Sequence, residues 1–419
     1  MKIAIIGGGF TGLSAAYELT KRGHNVSVFE KEKTLGGLAY GFRQPNWDWH
    51  LEGGYHHWFT NDHAMRKLIK ELGLYEKLII KRPITANYYK GKVFQFDSPV
   101  HLFTYPYLSP VDKLRTALLL ALCKVNPFWK LLENITAKDF FVTIGGKPAW
   151  DVLWEPLMYG KFGEYADTIA ASWLWARIKK RTQRLMYIAG GFHTVVEALV
   201  QAIKKNGGKI IAGKTLTSIP KGFDHTLLTV PTTIAAKLTP DLPIPTIPHL
   251  HAQTLILETD KPILKDVYWL NVADRSFPFL AVVAHTNFMH SKYYGNHHIT
   301  YFGNYLPQGH PYLSMTKEQL LKEFMPYINK ISSVQLADQI SNFYMFVGPF
   351  AQPVHQLHYS RRAPKLTTSD KKIFLTNLDS IYPWDRGTNY AVELGIKAAL
   401  SMGGSSPAQQ TTPHAKYAV

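Results

Sequence analysis

The chain opens on an unbroken apolar run, Ile3-Ala4-Ile5-Ile6, of the kind that forms a strand buried on both faces. A glycine turn follows, Gly7-Gly8-Gly9-Phe10-Thr11-Gly12. A helical period comes next, with Leu13, Ala16 and Leu19 on one face and Gly23 as its stop. Val26-Ser27-Val28-Phe29-Glu30 predicts the second strand. Asn61 or Asp62 is placed to cap a helix carrying Met65, Leu68, Ile69 and Leu72, ended by Gly73. Tyr88-Tyr89-Lys90-Gly91-Lys92-Val93-Phe94 predicts a hairpin turning at Lys90-Gly91. Residues 108–184 read as mainly helical, with breaks at Pro127, Pro148 and Pro156.

A second α/β stretch begins near residue 188. Gly190-Gly191 is a loop, Thr194-x-x-Glu197 has capping-box spacing, and Val196, Leu199 and Ile203 form a helix face ended by Asn206-Gly207-Gly208. Strands are expected at 209–211 and 227–230. A proline-rich linker covers 240–250. Residues 253–305 are mostly strand in pattern, and 316–331 form a helix with Leu320, Leu321, Phe324 and Ile328 inward. Residues 373–375 are a last strand. A final helix runs over 389–402 with Ala391, Leu394, Gly395 and Ala398 on one face. The expected fold class is α/β. A Rossmann-like dinucleotide domain is assembled from residues 1–80, 185–250 and 365–403. It is interleaved with an α+β substrate domain from 81–184 and 251–364, which has a helical subdomain at about 108–184. The Gly/Ser/Pro/Gln-rich tail, 404–419, reads as disordered.

Composition narrows this picture modestly. A chain of 419 residues with 46% hydrophobic and 18% charged residues has enough apolar material for a large globular core. The net charge of +17 raises three partner classes: nucleic acid, an anionic membrane surface and an acidic ligand. The densest basic run, Lys179-Lys180-Arg181 and then Arg184, reads as a solvated helix face, and nucleic acid is not expected. Cys123 is the single cysteine, so no intrachain disulfide can form, and a reducing cytoplasm fits. The first strand begins at Lys2, which leaves no room for a signal peptide. The longest Leu-rich run, 117–123, is too short to span a bilayer. The expected location is cytoplasmic, with attachment to the inner face of the membrane as an option. Oligomeric state is left open.

The first thirty residues carry the clearest chemistry. Gly7, Gly9 and Gly12 lie directly between a predicted strand and a predicted helix. Gly7 permits the tight turn, Gly9 lets backbone approach a pyrophosphate, and Gly12 lets helix and strand pack closely. The helix N-terminus then offers free N–H groups and a positive dipole end to phosphate. Glu30, closing the second strand, is placed to accept from ribose hydroxyls and disfavours a 2′-phosphate.

With Glu30-Lys31-x-x-x-x-Gly36-Gly37-Leu38-Ala39, the chain resembles the flavoprotein amine oxidase superfamily, which includes protoporphyrinogen oxidase-like and phytoene desaturase-like enzymes. The resemblance implies FAD, with Gly36 and Gly37 lining its pyrophosphate beside Phe10, Thr11, Lys31 and Leu38. Glu52-Gly53-Gly54-Tyr55-His56 resembles the family segment that passes the flavin ring. Ile188-Ala189-Gly190-Gly191-Phe192 resembles the glycine stretch before its middle helix. Residues 214–219 resemble the strand whose backbone contacts adenine, which points to Leu216. The motif Asp385-Arg386-Gly387-Thr388-Asn389 resembles the start of the last FAD motif, where a helix N-terminus faces the flavin pyrimidine. Thr376-Asn377-Leu378 replaces the usual Gly-Asp there, and Asn377 is the residue left to bond the ribityl chain. Trp173-x-Trp175-Ala176-Arg177 and Tyr382-Pro383-x-Asp385-Arg386 bring the chain nearest to the protoporphyrinogen oxidase-like members.

Few side chains stand out for catalysis, as expected where a flavin carries the electrons. His56 and His57 are candidates for an acid/base or a hydrogen-bond donor beside the ring; packed histidines are the competing reading. Arg386 is placed to clamp an acidic substrate or to balance reduced flavin, or else to pair structurally with Asp385. His285-Thr286-Asn287 reads as a pocket lining or a strand end. Tyr382 and Trp384 read as an aromatic wall or as core. Residues 105–129 combine aromatics, leucines and basic residues, and read as a membrane contact or as a buried helix. No metal site is expected. The expected activity is FAD-dependent oxidation or desaturation of a hydrophobic or cyclic small molecule by hydride transfer to flavin N5. Two alternatives stay open. One is a UDP-galactopyranose mutase-like isomerase using Arg177, Arg361 and Arg362 for a diphosphate. The other is a basic nucleic-acid-binding flavoprotein.

Overall fold

In the computed structural model, which describes residues 1–336 and 338–403, the apolar opening run is the centre of a five-stranded parallel sheet. Its order is Lys209–Ile211, Asn25–Phe29, Lys2–Ile6, His225–Leu228, Ile373–Leu375. Strands from the N-terminus, the middle and the C-terminus therefore share one sheet, in register Ile3↔Val26 on one side and Ile3↔His225 on the other. Ile3, Ile5, Val26, Val28 and Leu227 are fully buried, as the unbroken apolar runs require of a sheet covered on both faces. The helices Phe10–Lys21, His193–Lys205 and Thr388–Met402 supply that cover.

A seven-stranded mixed sheet forms the second body. Its order is Ile340–Pro353, His249–Thr259, His298–Leu306, Ala281–Ala284, Val267–Val272, Ile84–Tyr89, Lys92–Gln95. The last two strands form the hairpin expected at Lys90-Gly91, where both turn residues have positive φ (49° and 77°), the two-residue turn that matches strand twist. The helix Lys317–Ile331 covers one face of this sheet through Leu320, Phe324 and Ile328 and starts at a true capping box, Thr316 with Gln319. Residues 99–180 are mainly helical and stack against the other face.

Several local expectations are corrected. Residues 214–219 form no strand: Gly213 takes φ +73°, and beyond it only Lys214 N–H reaches across, to the Glu30 carbonyl at 2.9 Å. Thr194 caps nothing. The helix begins one residue earlier, at His193, and the Thr194 hydroxyl donates to the Ala189 carbonyl at 3.1 Å. Asp62 does sit before the His63–Glu71 helix, but its carboxylate accepts from Phe59 N–H, three residues back, instead of from the helix. Pro148 and Pro156 open helical turns, where a missing N–H costs nothing. The final helix buries Val392, Gly395, Ala398 and Met402, rotated slightly from the expected face. The long edge strand Ile340–Pro353 has no counterpart in the sequence reading. A register shift and Gly348-Pro349 break its alternation. The tail read as disordered lies outside the described residues.

Candidate functional site

The glycine turn does what its spacing requires. Gly7 has φ +116°, and a Cβ there would meet the Thr229 hydroxyl at 2.5 Å. A Cβ on Gly12 would lie 2.0 Å from the Gly7 carbonyl, so the helix packs directly on the turn. Gly9 and Gly37 face one another, Gly37 with φ +60° and its Cβ position 3.1 Å from the Gly9 Cα. Gly36 has φ +113°, and its N–H donates to the Gly8 carbonyl at 2.9 Å. The result is a cradle walled by backbone over a helix N-terminus that has no side-chain cap. Phe10 and Thr11 are buried in the first turn of that helix; Lys31 is exposed and pairs with Glu32. Leu38 is exposed against Gly348. Glu30 is held at the strand end by Gly8 N–H at 2.7 Å and Glu32 N–H at 2.9 Å. This donor set fits the pyrophosphate and ribose of FAD. Leu216 packs among Ile6, Leu228 and Ile219, in irregular backbone.

The ring-passing segment hangs on Glu52. That carboxyl is 1% exposed and accepts from the Tyr187 hydroxyl and the Phe192 N–H, both at 2.7 Å. Burial pushes it up to about 7, against those hydrogen bonds. The Gly53 carbonyl accepts from the Thr254 hydroxyl, and the Tyr301 hydroxyl donates to the Glu52 carbonyl at 2.8 Å. Tyr55 lies on Gly303, where any Cβ would strike its ring, and edges onto Trp269 and Tyr301. His56 Nδ1 must carry the proton, since it faces the Gly54 carbonyl at 2.6 Å. Burial, with Arg386 adding, brings His56 down to about 4. His57 pairs with the Tyr268 hydroxyl at 3.1 Å and is pushed down to about 3 by burial and then by Arg181. Both imidazoles are neutral at pH 7. They are hydrogen-bonding groups there, not standing proton donors.

The last motif is tied to the same place. Trp58 Nε1 donates to the Thr388 hydroxyl at 2.7 Å, and Asn389 accepts from Met65 N–H at 3.0 Å. The Thr388–Met402 helix starts after Gly387 with no side-chain cap, so its N-terminus is open to negative charge. Asn377 donates to the Val230 carbonyl at 2.7 Å and accepts from Asp379 N–H at 3.0 Å. Its side chain thus joins the chain near Val230 to the segment leading to Asp385.

Asp385 is the centre of a buried charge cluster. It takes an ion pair from Arg177 and a 3.1 Å hydrogen bond from Trp173 Nε1, so the two motifs of the protoporphyrinogen oxidase-like resemblance meet at one carboxylate. Burial opposes its charge, but Lys161, Arg177 and His355 hold it below the usual carboxylate range. Arg386 donates to the Ala351 carbonyl at 3.3 Å and lies 4.7 Å over the Tyr305 ring. Trp384 stacks on Trp175 and Tyr390, part of the core. In the polar triplet, His285 bonds Tyr294 at 2.7 Å and Asn287 bonds the Leu264 and Val267 carbonyls, which makes it a strand-end anchor. Arg361 and Arg362 are exposed, the latter bonded to Gln356, so of the three arginines proposed for a diphosphate only Arg177 belongs to the cluster. The sequence reading missed Lys161 and His355. The only signal for Lys161 was a lone lysine inside the apolar run Leu157-Met158-Tyr159-Gly160-Lys161-Phe162.

Comparison with known proteins follows this geometry. A family model described as flavin containing amine oxidoreductase matches residues 10–399. A zeta-carotene desaturase of Arabidopsis thaliana is 30% identical over 183 residues, 38% of this chain and 32% of that protein. A mitochondrial protoporphyrinogen oxidase of Nicotiana tabacum is 30% identical over 175 residues, 40% of this chain and 34% of that protein. The match thus spans about a third of the length of these curated relatives. A reduced UDP-galactopyranose mutase superposes with a TM-score of 0.76 at 15% identity, covering 97% of this chain and 96% of that one, a likeness of fold alone. A glycine cradle, an anchored acidic strand end and a family match running almost end to end agree: the chain belongs to the flavin-containing amine oxidoreductase family.

Proposed function

We propose that the protein oxidises or desaturates a hydrophobic or cyclic small molecule by hydride transfer to flavin N5. FAD supplies the two-electron acceptor. The substrate gives a hydride from carbon to the flavin and releases a proton from the neighbouring atom to solvent, leaving a double bond between them; an external two-electron oxidant of the dioxygen or quinone class then takes the electrons and returns the flavin to its oxidised state. The observation that carries this reading is the surface around Tyr55. It is built from Trp269, Tyr301 and the bare backbone of Gly303, and the two nearby histidines are neutral. Such a wall orients a flat apolar body and excludes water, and it offers no strong base. The test is anaerobic mixing of the FAD-loaded protein with a cyclic tetrapyrrole precursor and with a polyene, followed at the flavin absorption band. Bleaching by either, reversed by dioxygen or a quinone, supports the proposal. Turnover of a UDP-sugar with no acceptor consumed supports the isomerase reading and refutes it.

We also propose peripheral contact with an anionic membrane. The Pro110–Val125 helix buries only Thr116, Leu119 and Cys123, while Val111, Leu114, Leu118 and Val125, at helical spacing, are 55–73% exposed. Phe103, Phe128 and Leu131 extend the stripe. Lys113 and Lys130 accompany it, against Asp112, while Arg115 and Lys124 donate to backbone carbonyls of neighbouring helices. A helix apolar on both faces needs a second cover, and basic flanks match anionic headgroups. No helix among the described residues is long and apolar enough to cross a membrane.

A further inference from the structure

The Asp385 cluster holds more positive charge than its one carboxylate neutralises. Lys161 is 4% exposed on the Glu155–Phe162 helix. Its Nζ lies 4.5 Å from the Tyr305 ring centre and 5.2 Å from that of Trp173, with no acceptor oxygen in hydrogen-bonding range among the described residues, and burial, with Arg177 and Arg386 adding, pushes the amine well below the ordinary lysine value. Asp385, the nearest acid, is committed to Arg177 and Trp173. Arg386 sits over the same Tyr305 ring with a single carbonyl partner. His355, 1% exposed and close to both Asp385 and Lys161, has neither ring nitrogen hydrogen-bonded. Buried polar groups in folded proteins are almost always partnered, and buried ammonium groups more so. Two arginines and a lysine amine without an acceptor, against one carboxylate and beside an unpartnered imidazole, describe a site built for something else to complete.

The position of the cluster says what that is. Tyr301, Gly303 and Tyr305 alternate along one strand and point to one face. Tyr301 bonds the Glu52 carbonyl, Gly303 carries Tyr55, and Tyr305 carries Lys161 and Arg386. Two residues along a strand span about 7 Å. The cationic site therefore lies about 7 Å from the Tyr55 contact on the ring-passing segment, the length of a short side chain on a cyclic molecule. We propose that Lys161, with Arg386 and His355, binds an anionic oxygen group, carboxylate or phosphate, on the substrate whose apolar body lies against Tyr55. This rests on the flavin oxidoreductase reading and adds the substrate's charge to it. Lys161 is then a specificity-determining residue, donating to the anion while the body of the molecule is oriented for oxidation.

The test uses the FAD-loaded protein and three small probes of similar shape: benzoate, phenyl phosphate and the uncharged benzamide. The readout is the flavin difference spectrum on titration. At least one anion is expected to bind ten-fold or more tightly than benzamide; whichever it is distinguishes carboxylate from phosphate. Lys161→Met is expected to bring that preference below three-fold with the same flavin content, and Lys161→Arg to retain it. Equal binding of all three probes by the wild-type protein overturns the proposal, with no variant needed. An anion preference that survives in flavin-loaded Lys161→Met overturns it too. So does a Lys161→Met protein whose flavin spectrum is altered but whose probe preference is not, since the lysine then serves the flavin. Protein that takes up no FAD refutes the flavin reading, and this inference falls with it.

Discussion

Two neighbouring glycines separate folding from cofactor binding. A Cβ on Gly12 would meet backbone, the Gly7 carbonyl, at 2.0 Å, so Gly12→Ala must push helix and strand apart. Overpacking of this kind costs about 1–3 kcal/mol. A Cβ on Gly9 meets nothing nearer than 3.7 Å. Gly9→Ala is therefore expected to melt like the wild-type apoprotein yet purify colourless, while Gly12→Ala melts several degrees lower. Equal melting of the two variants would refute the close packing. Glu52 offers a second test. Its folded pKa of about 7 exceeds the ordinary 4.5, so the folded state holds the proton more tightly, and the contribution of Glu52 to stability, taken alone, declines as pH rises from 4.5 through 7. Gln mimics the protonated acid. Glu52→Gln is expected to lie within about 1 kcal/mol of wild type at pH 5. It should gain on it by about 3 kcal/mol by pH 8. Denaturant titrations at the two pH values check this; a pH-independent difference counts against it.

At the scale of elements, the Phe10–Lys21 and Thr388–Met402 helices cross at Gly395, where a Cβ would lie 2.4 Å from the Thr11 carbonyl. This contact presents two uncapped helix N-termini from opposite ends of the chain to one cofactor. The Pro110–Val125 helix poses the opposite case, a face with no partner in the chain. Cosedimentation with vesicles containing anionic lipid is expected for the wild-type protein. It should weaken at least ten-fold in Leu114→Asp/Leu118→Asp, with flavin content and melting temperature unchanged. Equal sedimentation of wild type and variant would exclude the stripe as the contact.

For the molecule as a whole, acid stability follows from four buried histidines. His57 and His285 are pushed down to about 3, and His56 and His355 to about 4, by burial above all. A depressed histidine supports folding above its ordinary value near 6.5, and that support is lost as pH falls toward the folded value. Glu52 and Asp62, raised to about 7 and about 6, act in the opposite sense, so the net difference near pH 5.5 is about two protons. Unfolding free energy is expected to drop by on the order of 3 kcal/mol per pH unit there. A flat profile down to pH 5 would show that these imidazoles are not held neutral.

Much of the cofactor end was legible because its signals are local. Gly7, Gly12, Gly36 and Gly37 are required by a turn, a close approach or a positive φ, each set by backbone sterics within a few residues. The apolar runs of the parallel sheet and the Thr316 helix likewise follow from periods of two and 3.6. The Thr194 capping box failed because the same spacing admits a helix starting one residue earlier. The strand at 214–219 rested on resemblance, and Lys214-Thr215-Leu216-Thr217-Ser218-Ile219 pairs with no neighbouring strand. The buried charge cluster was set by the tertiary structure alone. Lys161, Arg177, His355 and Asp385 come from four separated stretches, and nothing within a helical turn of any of them reports the others. By itself the sequence determined that the glycine turn suits a dinucleotide and that its motifs are those of a flavin family. Only the folding of the helical subdomain against the seven-stranded sheet decided that buried cations outnumber carboxylates beside Tyr55, because charge balance in a low-dielectric interior is a property of neighbours in space.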